Sequence, residues 1–239
     1  MSTVTTRGEP NETLVGAGRT ADVFARGEHE VLRRYRSPRD TEREVAAMEH
    51  ARAQGYPVPP ARAVSDTDIV MERLSGPTML IDLGRRPWLV ARHAATLADL
   101  HRRLHAITAP GWLPSPLGDG DALLHLDLHP ENVIMTPRGP MVIDWLNAAK
   151  GPGDADVAFS WTVIACSLPP QSLYRRVVTL AGRRLFLDLF LRHFDRERVR
   201  AHLAEACTYR LGSRKLPARE LDAIARLRAG APPAGEKNR

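Results

Sequence analysis

Acidic, amide and imidazole side chains are concentrated in one short stretch near the middle of the chain. His125, Asp127, His129 and Asn132 lie within eight residues, and Asp144 follows twelve residues after Asn132. Transfer of a phosphoryl group requires a carboxylate beside the attacking hydroxyl, together with oxygen ligands that hold magnesium against a triphosphate. Asp127 suits the first role, and Asn132 and Asp144 suit the second. The spacing therefore predicts phosphoryl-transfer chemistry in this stretch.

The same stretch allows a second interpretation. His125, Asp127 and His129 alternate, and alternate residues of a strand share one face. Imidazole and carboxylate groups suit zinc or manganese, so the three could form the metal site of a phosphoesterase. Pro130 and Asn132 fit a kinase loop better, in which case His129 is a loop residue close to the substrate.

Flanking patterns indicate which elements position these residues. Residues 133–136 and 141–144 read as a hairpin, which would place Asp144 at the end of a strand that returns beside Asn132. Upstream, residues 13–35 read as three strands with a glycine turn, and residues 61–72 as two more strands.

Helical patterns complete the predicted organisation. A helix opens near Asp40 and closes at Gly55, a second runs from residue 87 to 107, and the pattern is helical again from Val157. We therefore predict an α+β chain with an N-terminal nucleotide-binding lobe over 1–73, a small antiparallel sheet with one helix. A mainly helical C-terminal lobe with the acceptor site would span 74–228, and 229–239 would be a disordered tail.

The motif His-x-Asp-x-x-x-x-Asn at 125–132, followed by Ile-Asp-Trp at 143–145, resembles the catalytic loop and metal-binding strand of the aminoglycoside phosphotransferase family. The resemblance extends from about residue 14 to 165. It implies the two-lobed protein-kinase-like fold, ATP as the phosphoryl donor, Mg²⁺ as the cofactor and a small-molecule hydroxyl as the acceptor.

The resemblance also implies a role for each polar residue. Asp127 would be the catalytic base or the group that positions the hydroxyl, and Asn132 and Asp144 would be magnesium ligands. His125 would brace the loop. Asp156 matches a structural aspartate of the family and would hold the catalytic loop in place.

In the N-terminal lobe the resemblance implies a nucleotide site made of short segments. Glycines let the backbone approach phosphate oxygens, valines would cover the adenine, and backbone groups of an interlobe hinge would bond the adenine edge. The residues at these positions are Val15, Gly16, Gly18 and Val23 in the glycine turn, and Met71 and Glu72 in the hinge.

The sequence departs from the family at one position. The family has a lysine on the third strand that pairs with phosphates and with a helix glutamate, but the N-terminal lobe contains no lysine. Arg33 occupies the aligned position, with Glu44 as its expected helix partner, and arginine remains charged and can grip two phosphate oxygens. Arg34 would point to the opposite face of the strand, toward solvent. A pseudokinase that binds nucleotide and serves as a scaffold is the alternative that this departure leaves open.

Composition and charge argue against membrane, secreted and nucleic-acid-binding proteins. The chain has 239 residues and two cysteines, and no stretch is long and apolar enough to cross a membrane or serve as a secretion signal. These features predict a soluble, cytoplasmic protein with core or surface thiols and no membrane partner. The net charge of +6 comes from scattered arginines without a nucleic-acid-binding motif, so no nucleic-acid partner is expected.

The excess of positive over negative charge lies entirely in the C-terminal part. Residues 175–239 contain 16 Lys+Arg against 7 Asp+Glu, whereas residues 1–174 contain 18 against 21. A polycationic acceptor would need acidic residues where the C-terminal helices hold it. We therefore expect a neutral or anionic acceptor.

Overall fold

The computed structural model describes residues 12–167, 173–213 and 216–230, and these form two compact units that divide between Gly76 and Pro77. The first unit contains five strands and one helix in this order: β1 (Glu12–Ala17), β2 (Ala21–Arg26), β3 (Glu30–Tyr35), α1 (Thr41–Ala53), β4 (Ala61–Ala63) and β5 (Asp68–Glu72).

The second unit is mainly helical. Its elements are α2 (Met79–Arg85), α3 (Val90–His105), β6 (Ala122–Leu124), β7 (Val133–Thr136), β8 (Gly139–Val142), β9 (Ala149–Gly151), α4 (Gly153–Cys166), α5 (Leu173–Leu191), α6 (Arg196–Ala201), α7 (Leu203–Ser213) and α8 (Ala218–Ala229). Among the described residues, no helix has the length and hydropathy needed to cross a membrane.

The strands of the first unit form one antiparallel sheet in the order β1-β2-β3-β5-β4. Gly27 has a φ of 70° in the turn between β2 and β3, where a residue with a Cβ would be strained. Helix α1 begins after Asp40, whose side chain accepts a hydrogen bond from the backbone N–H of Arg43 at 3.0 Å. It buries Met48 and Ala51, and the burial of one such methionine contributes about 1.5–3 kcal/mol.

Helix α4 lies at the centre of the second unit. Most of its residues are buried, on every side of the helix, and it packs against α3, α5, α6, α7, α8 and β6. A helix that is apolar all round is enclosed by other elements. The polar side chains Asp156 and Ser160 on α4 are therefore placed inside the unit, where they can hold neighbouring segments only through hydrogen bonds.

Several boundaries differ from the prediction. Helix α2 was not predicted; its start is marked by Thr78, whose hydroxyl accepts from the N–H of Ile81 at 3.2 Å. Strand β9, which pairs with β6, was also missed because three residues are too short for a periodic pattern. Helix α4 begins at Gly153 rather than Val157, so Asp156 lies in its first turn.

Two predictions concern the C-terminal part. The tail predicted for 229–239 begins inside α8, which extends to Ala229, and residues 231–239 lie outside the described residues. Cys166 and Cys207 are both buried in one apolar cluster with Leu203 and Ile224. They are core thiols.

Candidate functional site

The segment between β6 and β7 is a loop and not a strand. Leu126 has a φ of 51°, and residues Pro130–Asn132 form a short 3-10 turn that leads into β7. A positive φ breaks the side-chain alternation of a strand, so His125, Asp127 and His129 do not share one face.

The phosphoesterase interpretation is therefore wrong. The ring of His125 is fully buried and packs edge-on against Trp145, with ring centroids 5.0 Å apart. Within residues 12–167, 173–213 and 216–230, no group of three or more His, Cys, Asp or Glu side chains is arranged to hold a metal ion.

The loop brings Asp127 and Asn132 together. The Asn132 amide nitrogen donates to the backbone carbonyl of Asp127 at 2.9 Å, and Nε2 of His129 lies 3.6 Å from Oδ1 of Asp127. Both Asp127 and Asn132 are more than nine-tenths buried. Because Nδ2 of Asn132 is bonded to the loop, Oδ1 lies on the opposite side of the amide from that contact.

Asp144 is tied to the same loop through its neighbour Ile143. The N–H of Ile143 donates to the carbonyl of Asn132 at 3.0 Å, and Nε2 of His125 lies 3.1 Å from the carbonyl of Ile143. The prediction that Asp144 ends a hairpin strand was wrong, because β8 ends at Val142 and Asp144 has a φ of 67°. The carboxylate is thus presented from a turn immediately after the strand.

The electrostatics of His125 show how close the acidic groups are. Burial lowers the pKa of His125, and the carboxylates of Asp156, Asp127 and Asp144 oppose that shift. Three carboxylates therefore act on one buried ring. The ring is neutral, and its Nε2–H is the donor to Ile143 because a carbonyl only accepts.

Asp156, on helix α4, is hydrogen-bonded to the start of the loop. Its carboxylate accepts hydrogen bonds from the backbone N–H of Leu126 at 2.8 Å and of His125 at 3.3 Å, and Nε2 of His105 lies 2.9 Å from it. His105 approaches Gly153 so closely that a Cβ there would lie 2.6 Å from Nδ1. This contact requires glycine at position 153.

Hydrogen bonds stabilise the buried charge at Asp156. Burial alone would raise the pKa of Asp156, but the hydrogen bond from His105, followed by the charges that His105, His101 and His125 carry once they are protonated at acid pH, lowers it to about 2. The group is ionised at neutral pH, as its two backbone donors require.

His105, His101 and Ser160 were missed by the sequence analysis. His101 and His105 lie four residues apart on α3, and Asp156 and Ser160 lie four residues apart on α4. Residues at that spacing share a helix face. The matched spacing is the signal that could have identified a polar contact between the two helices.

The buried histidine His101 makes stability depend on pH. Burial lowers its pKa to about 4, against the opposing effect of Asp156. Between pH 6.5 and 4 the unfolded chain binds a proton at His101 that the folded protein does not, so acidification lowers the free energy of unfolding by up to about 3 kcal/mol. Denaturant titrations at pH 7 and 4.5 measure this loss, and His101→Gln should reduce it. An equal loss of unfolding free energy in the wild type and in His101→Gln would contradict this role of His101.

In the first unit, Arg33 is fixed by two neighbours. Its guanidinium donates to Oε1 of Glu44 at 3.2 Å and lies 4.8 Å from the ring centre of Tyr35, whose hydroxyl donates to Oε2 of Glu44 at 2.6 Å. All three residues are buried. The expected pairing of Arg33 with Glu44 is thus present. Arg34, expected to face solvent, is partly exposed and is also paired with Asp68 at 2.9 Å.

The glycine turn joins β1 to β2. A bulge between Leu14 and Gly16 displaces Val15, which is 49% exposed, while Val23 on β2 is half-buried. The N–H of Gly18 donates to the carbonyl of Ala21 at 2.8 Å, and a Cβ on Gly18 would lie 2.9 Å from that oxygen. The tight turn therefore needs glycine at position 18.

Met71 and Glu72, which the sequence analysis assigned to a hinge, end β5 and are half-buried. Met71 pairs with Val31 on β3, and the N–H of Glu72 donates to the carbonyl of Pro60 at 3.1 Å. The N–H of Glu72 is thus used within the first unit.

A family described as the phosphotransferase enzyme family matches residues 85–202, which include Asp127, Asn132, Asp144 and Asp156. No curated protein matches the chain significantly in sequence.

Solved structures resemble the chain over most of its length. A choline/ethanolamine kinase family protein from Mesorhizobium loti is 16% identical with a TM-score of 0.57, covering 91% of this chain and 87% of that one. The streptomycin–ATP ternary complex of APH(2")-IIa is 15% identical with a TM-score of 0.55, covering 91% of this chain and 92% of that one. An ethanolamine kinase from Plasmodium vivax is 12% identical with a TM-score of 0.55, covering 91% of this chain and 80% of that one.

At such identities these structures show the fold alone, and that fold is the protein-kinase-like α+β fold predicted from the sequence. The resemblance to the aminoglycoside phosphotransferases is confirmed, and residues 85–202, just under half of the chain, match the phosphotransferase enzyme family.

Proposed function

We propose that the chain is a small-molecule kinase that transfers the γ-phosphoryl group of ATP to a hydroxyl of a neutral or anionic acceptor. The observation that carries this proposal is the arrangement around His125. Asp127 and Asn132 lie in one loop, Asp144 is tied to that loop through Ile143, and all are in the segment that matches the family. The family match supports a small-molecule phosphotransferase, and the ATP held by APH(2")-IIa supports ATP as donor.

Asp127 is the group that we assign to the acceptor hydroxyl. Its carboxylate would accept the hydrogen bond of the hydroxyl and orient the hydroxyl oxygen toward the γ-phosphorus. It would take the hydroxyl proton as the new O–P bond forms and the bond from the γ-phosphorus to the β–γ bridging oxygen breaks, releasing ADP. His129, with Nε2 at 3.6 Å, lies beside the carboxylate. Most of the catalysis would come from positioning and charge stabilisation.

Asn132 and Asp144 fit a magnesium ion. Magnesium prefers oxygen ligands and few protein groups, and the pair offers one amide oxygen and one carboxylate. The bonding of Nδ2 of Asn132 to Asp127 directs Oδ1 away from the loop backbone, as a ligand atom requires. When bound, magnesium would neutralise charge on the phosphates. The two residues would hold it, and His125 and Asp156 would keep the loop in shape.

In the first unit we assign the phosphate contact to Arg33, with Glu44 fixing its guanidinium, and backbone contacts to Gly16 and Gly18. Val15 and Val23 would cover the adenine, and the segment at Met71 and Glu72 would contact its edge. The division into a nucleotide-binding lobe over 1–73 and an acceptor-binding lobe over 74–228 is part of this proposal.

Replacing Arg33 tests the phosphate contact. Arg33→Met should raise the KM for ATP about tenfold and also lower kcat, since a cation that meets the phosphates is lost. Arg33→Lys should recover part of both. Steady-state kinetics at saturating magnesium measure the effect. Arg34→Met, on the opposite face of the same strand, is the matched control; an equal effect of both methionine variants would contradict the assignment.

The charge of the second unit supports the proposed acceptor class. A groove of about 290 Å³ is lined by Trp161 on α4, by Arg196 and Arg200 on α6, and by Arg226 on α8. Cations on the C-terminal helices favour anionic or neutral molecules and repel polycations.

The acceptor class is tested by screening a set of hydroxyl compounds for phosphorylated products. Neutral and anionic hydroxyl compounds, including nucleosides, sugar-like metabolites and antibiotics other than aminoglycosides, are incubated with the enzyme and Mg²⁺-ATP and analysed by mass spectrometry. We expect phosphorylated products from this set. Efficient phosphorylation of kanamycin-like compounds at micromolar KM would refute the assignment of acceptor charge.

A pseudokinase is the other candidate, because the first unit lacks the family lysine. The joint presence of Asp127, Asn132 and Asp144 argues for catalysis, since a scaffold needs none of them. ATP turnover with and without magnesium separates the two functions. Nucleotide binding without turnover in the full acceptor set would favour the pseudokinase.

A further inference from the structure

Two parallel sets of contacts connect helices α3 and α4 to the loop at 125–128. In the first set, His105 on α3 contacts Asp156 on α4, and Asp156 accepts from backbone N–H groups at the start of the loop. One helical turn away, His101 on α3 contacts Ser160 on α4. The second set therefore repeats the geometry of the first.

The second set ends on the backbone directly after Asp127. Nε2 of His101 lies 3.0 Å from Oγ of Ser160, and Oγ donates to the carbonyl of Leu128 at 2.8 Å. His101, Ser160 and Leu128 are fully buried, so water does not substitute for any of these contacts. The loop is thus held on both sides of Asp127. Before Asp127, Asp156 binds the backbone N–H groups of His125 and Leu126; after it, Ser160 binds the carbonyl of Leu128.

The number of available protons determines the direction of the hydrogen bonds. The Leu128 carbonyl only accepts, and the Ser160 hydroxyl carries a single proton, so the contact at 2.8 Å requires that Ser160 donate to Leu128. Oγ of Ser160 must then accept from His101, which places the ring proton of His101 on Nε2.

The other ring nitrogen competes for the same proton. Nδ1 of His101 lies 2.9 Å from the carbonyl of Leu97, four residues earlier in α3, and a carbonyl only accepts. Burial lowers the pKa of His101 to about 4, so the ring has one proton at neutral pH. With that proton on Nδ1, one of the two contacts of Ser160 lacks a donor; with it on Nε2, only the contact to Leu97 lacks one, and the Leu97 carbonyl still receives the backbone N–H of the helix.

We propose that His101, as the Nε2–H tautomer, donates to Ser160, and that Ser160 donates to the Leu128 carbonyl, forming a relay that positions the Asp127 carboxylate for the transfer step. The effect of the relay on turnover rests on the proposed function. The tautomer of His101 and the order of the loop are properties of the folded chain and can be measured without turnover.

Ser160→Ala removes the hydroxyl and leaves the rest of the side chain. For the hydrolysis of Mg²⁺-ATP we expect kcat to fall about tenfold with KM changed by less than about twofold, since the relay holds the reacting loop and does not touch the nucleotide groups assigned above. Hydrogen exchange of the backbone N–H groups at 125–129 should become faster. A normal kcat with normal exchange would overturn the relay.

Thr162→Val is the matched control. Thr162 lies on the same helix and is equally buried, but its hydroxyl donates to the carbonyl of Phe159 within α4 and not to the loop. We expect normal kcat and normal exchange at 125–129. If this variant reproduces the Ser160→Ala effects, general loss of α4 packing explains them and the relay is wrong.

Variants of His101 test the donor. His101→Gln places an amide N–H near the position of Nε2 and should preserve the slow exchange at 125–129, whereas His101→Asn is too short to reach Ser160 and should lose it. Two-bond ¹H–¹⁵N correlation spectra of the wild type should show an Nε2–H tautomer. A spectrum with the proton on Nδ1 would refute the relay even in a protein that turns over no ATP.

Discussion

Asp127→Ala is expected to lower the rate of phosphoryl transfer by about 10²–10⁴-fold while leaving the affinity for ATP nearly unchanged. A positioned general base contributes a factor of this size, and the carboxylate of Asp127 is the one that we assign to the acceptor hydroxyl. Asn132, which donates to the backbone carbonyl of Asp127, retains that contact in the variant. Kinetic assays give the rate, and isothermal titration with Mg²⁺-ATP gives the affinity.

The control for Asp127 is another acidic residue of the same loop. Glu131 is largely exposed and lies 3.9 Å from Nδ1 of His129, so Glu131→Gln changes the charge of the loop without touching Asp127. We expect turnover close to wild type. Comparable turnover of Asp127→Ala and the wild type would remove Asp127 from the mechanism.

Asp156→Ala is expected to lower the free energy of unfolding by about 3–5 kcal/mol. The change leaves two buried backbone N–H groups, those of His125 and Leu126, without their acceptor and leaves His105 without its carboxylate. Chemical denaturation followed by tryptophan fluorescence measures the loss. At moderate denaturant concentrations the rate of phosphoryl transfer by Asp156→Ala should also fall, because the less stable variant no longer holds the loop in shape.

Asp154→Ala separates this effect from a general effect of charge. Asp154 also lies in the first turn of α4, where a carboxylate contributes about 0.3–1 kcal/mol through the helix dipole. The stabilising contribution of Asp156 should disappear only as the pH falls below 3.8 toward its folded pKa of about 2. Equal losses of stability in the two variants would contradict the assigned role of Asp156.

The sequence predicted those parts of the site that depend on local spacing. Loop, turn and hairpin follow one another within residues 125–142, so the placement of Asp127 and Asn132 in one loop before a hairpin can be predicted from turn and strand patterns, whereas the position of Asp144 beyond the end of β8 could not. The helix that follows Asp40 was found for the same reason, because its cap and its glycine stop are local signals.

Contacts between distant segments could not be predicted in the same way. His101 and Ser160 are 59 residues apart in sequence, and their contact exists only because α3 packs against α4 in the folded unit. The positive φ of Leu126 likewise occurs where its N–H is bonded to the distant Asp156, and leucine is not a residue type that predicts a positive φ. Short elements such as β9 are stabilised by their pairing with β6 rather than by their own sequence.

The pairing of Arg34 with Asp68 shows the limit of strand alternation. Alternation places Arg34 opposite to Arg33, which the structure bears out, because Arg33 reaches Glu44 while Arg34 reaches Asp68 on the adjacent strand. It says nothing about cross-strand partners, and Asp68 is directly opposite Arg34 in the register of β3 and β5.

The most direct measurement of the central claim is the appearance of a phosphorylated acceptor. The wild type and Asp127→Ala are each incubated with Mg²⁺-ATP and the library of neutral and anionic hydroxyl compounds, and products are read by mass spectrometry. We predict at least one compound heavier by one phosphoryl group with the wild type and none with the variant. The same product in both reactions, or no product from any compound while ATP is bound, would contradict the assignment of a catalytic kinase.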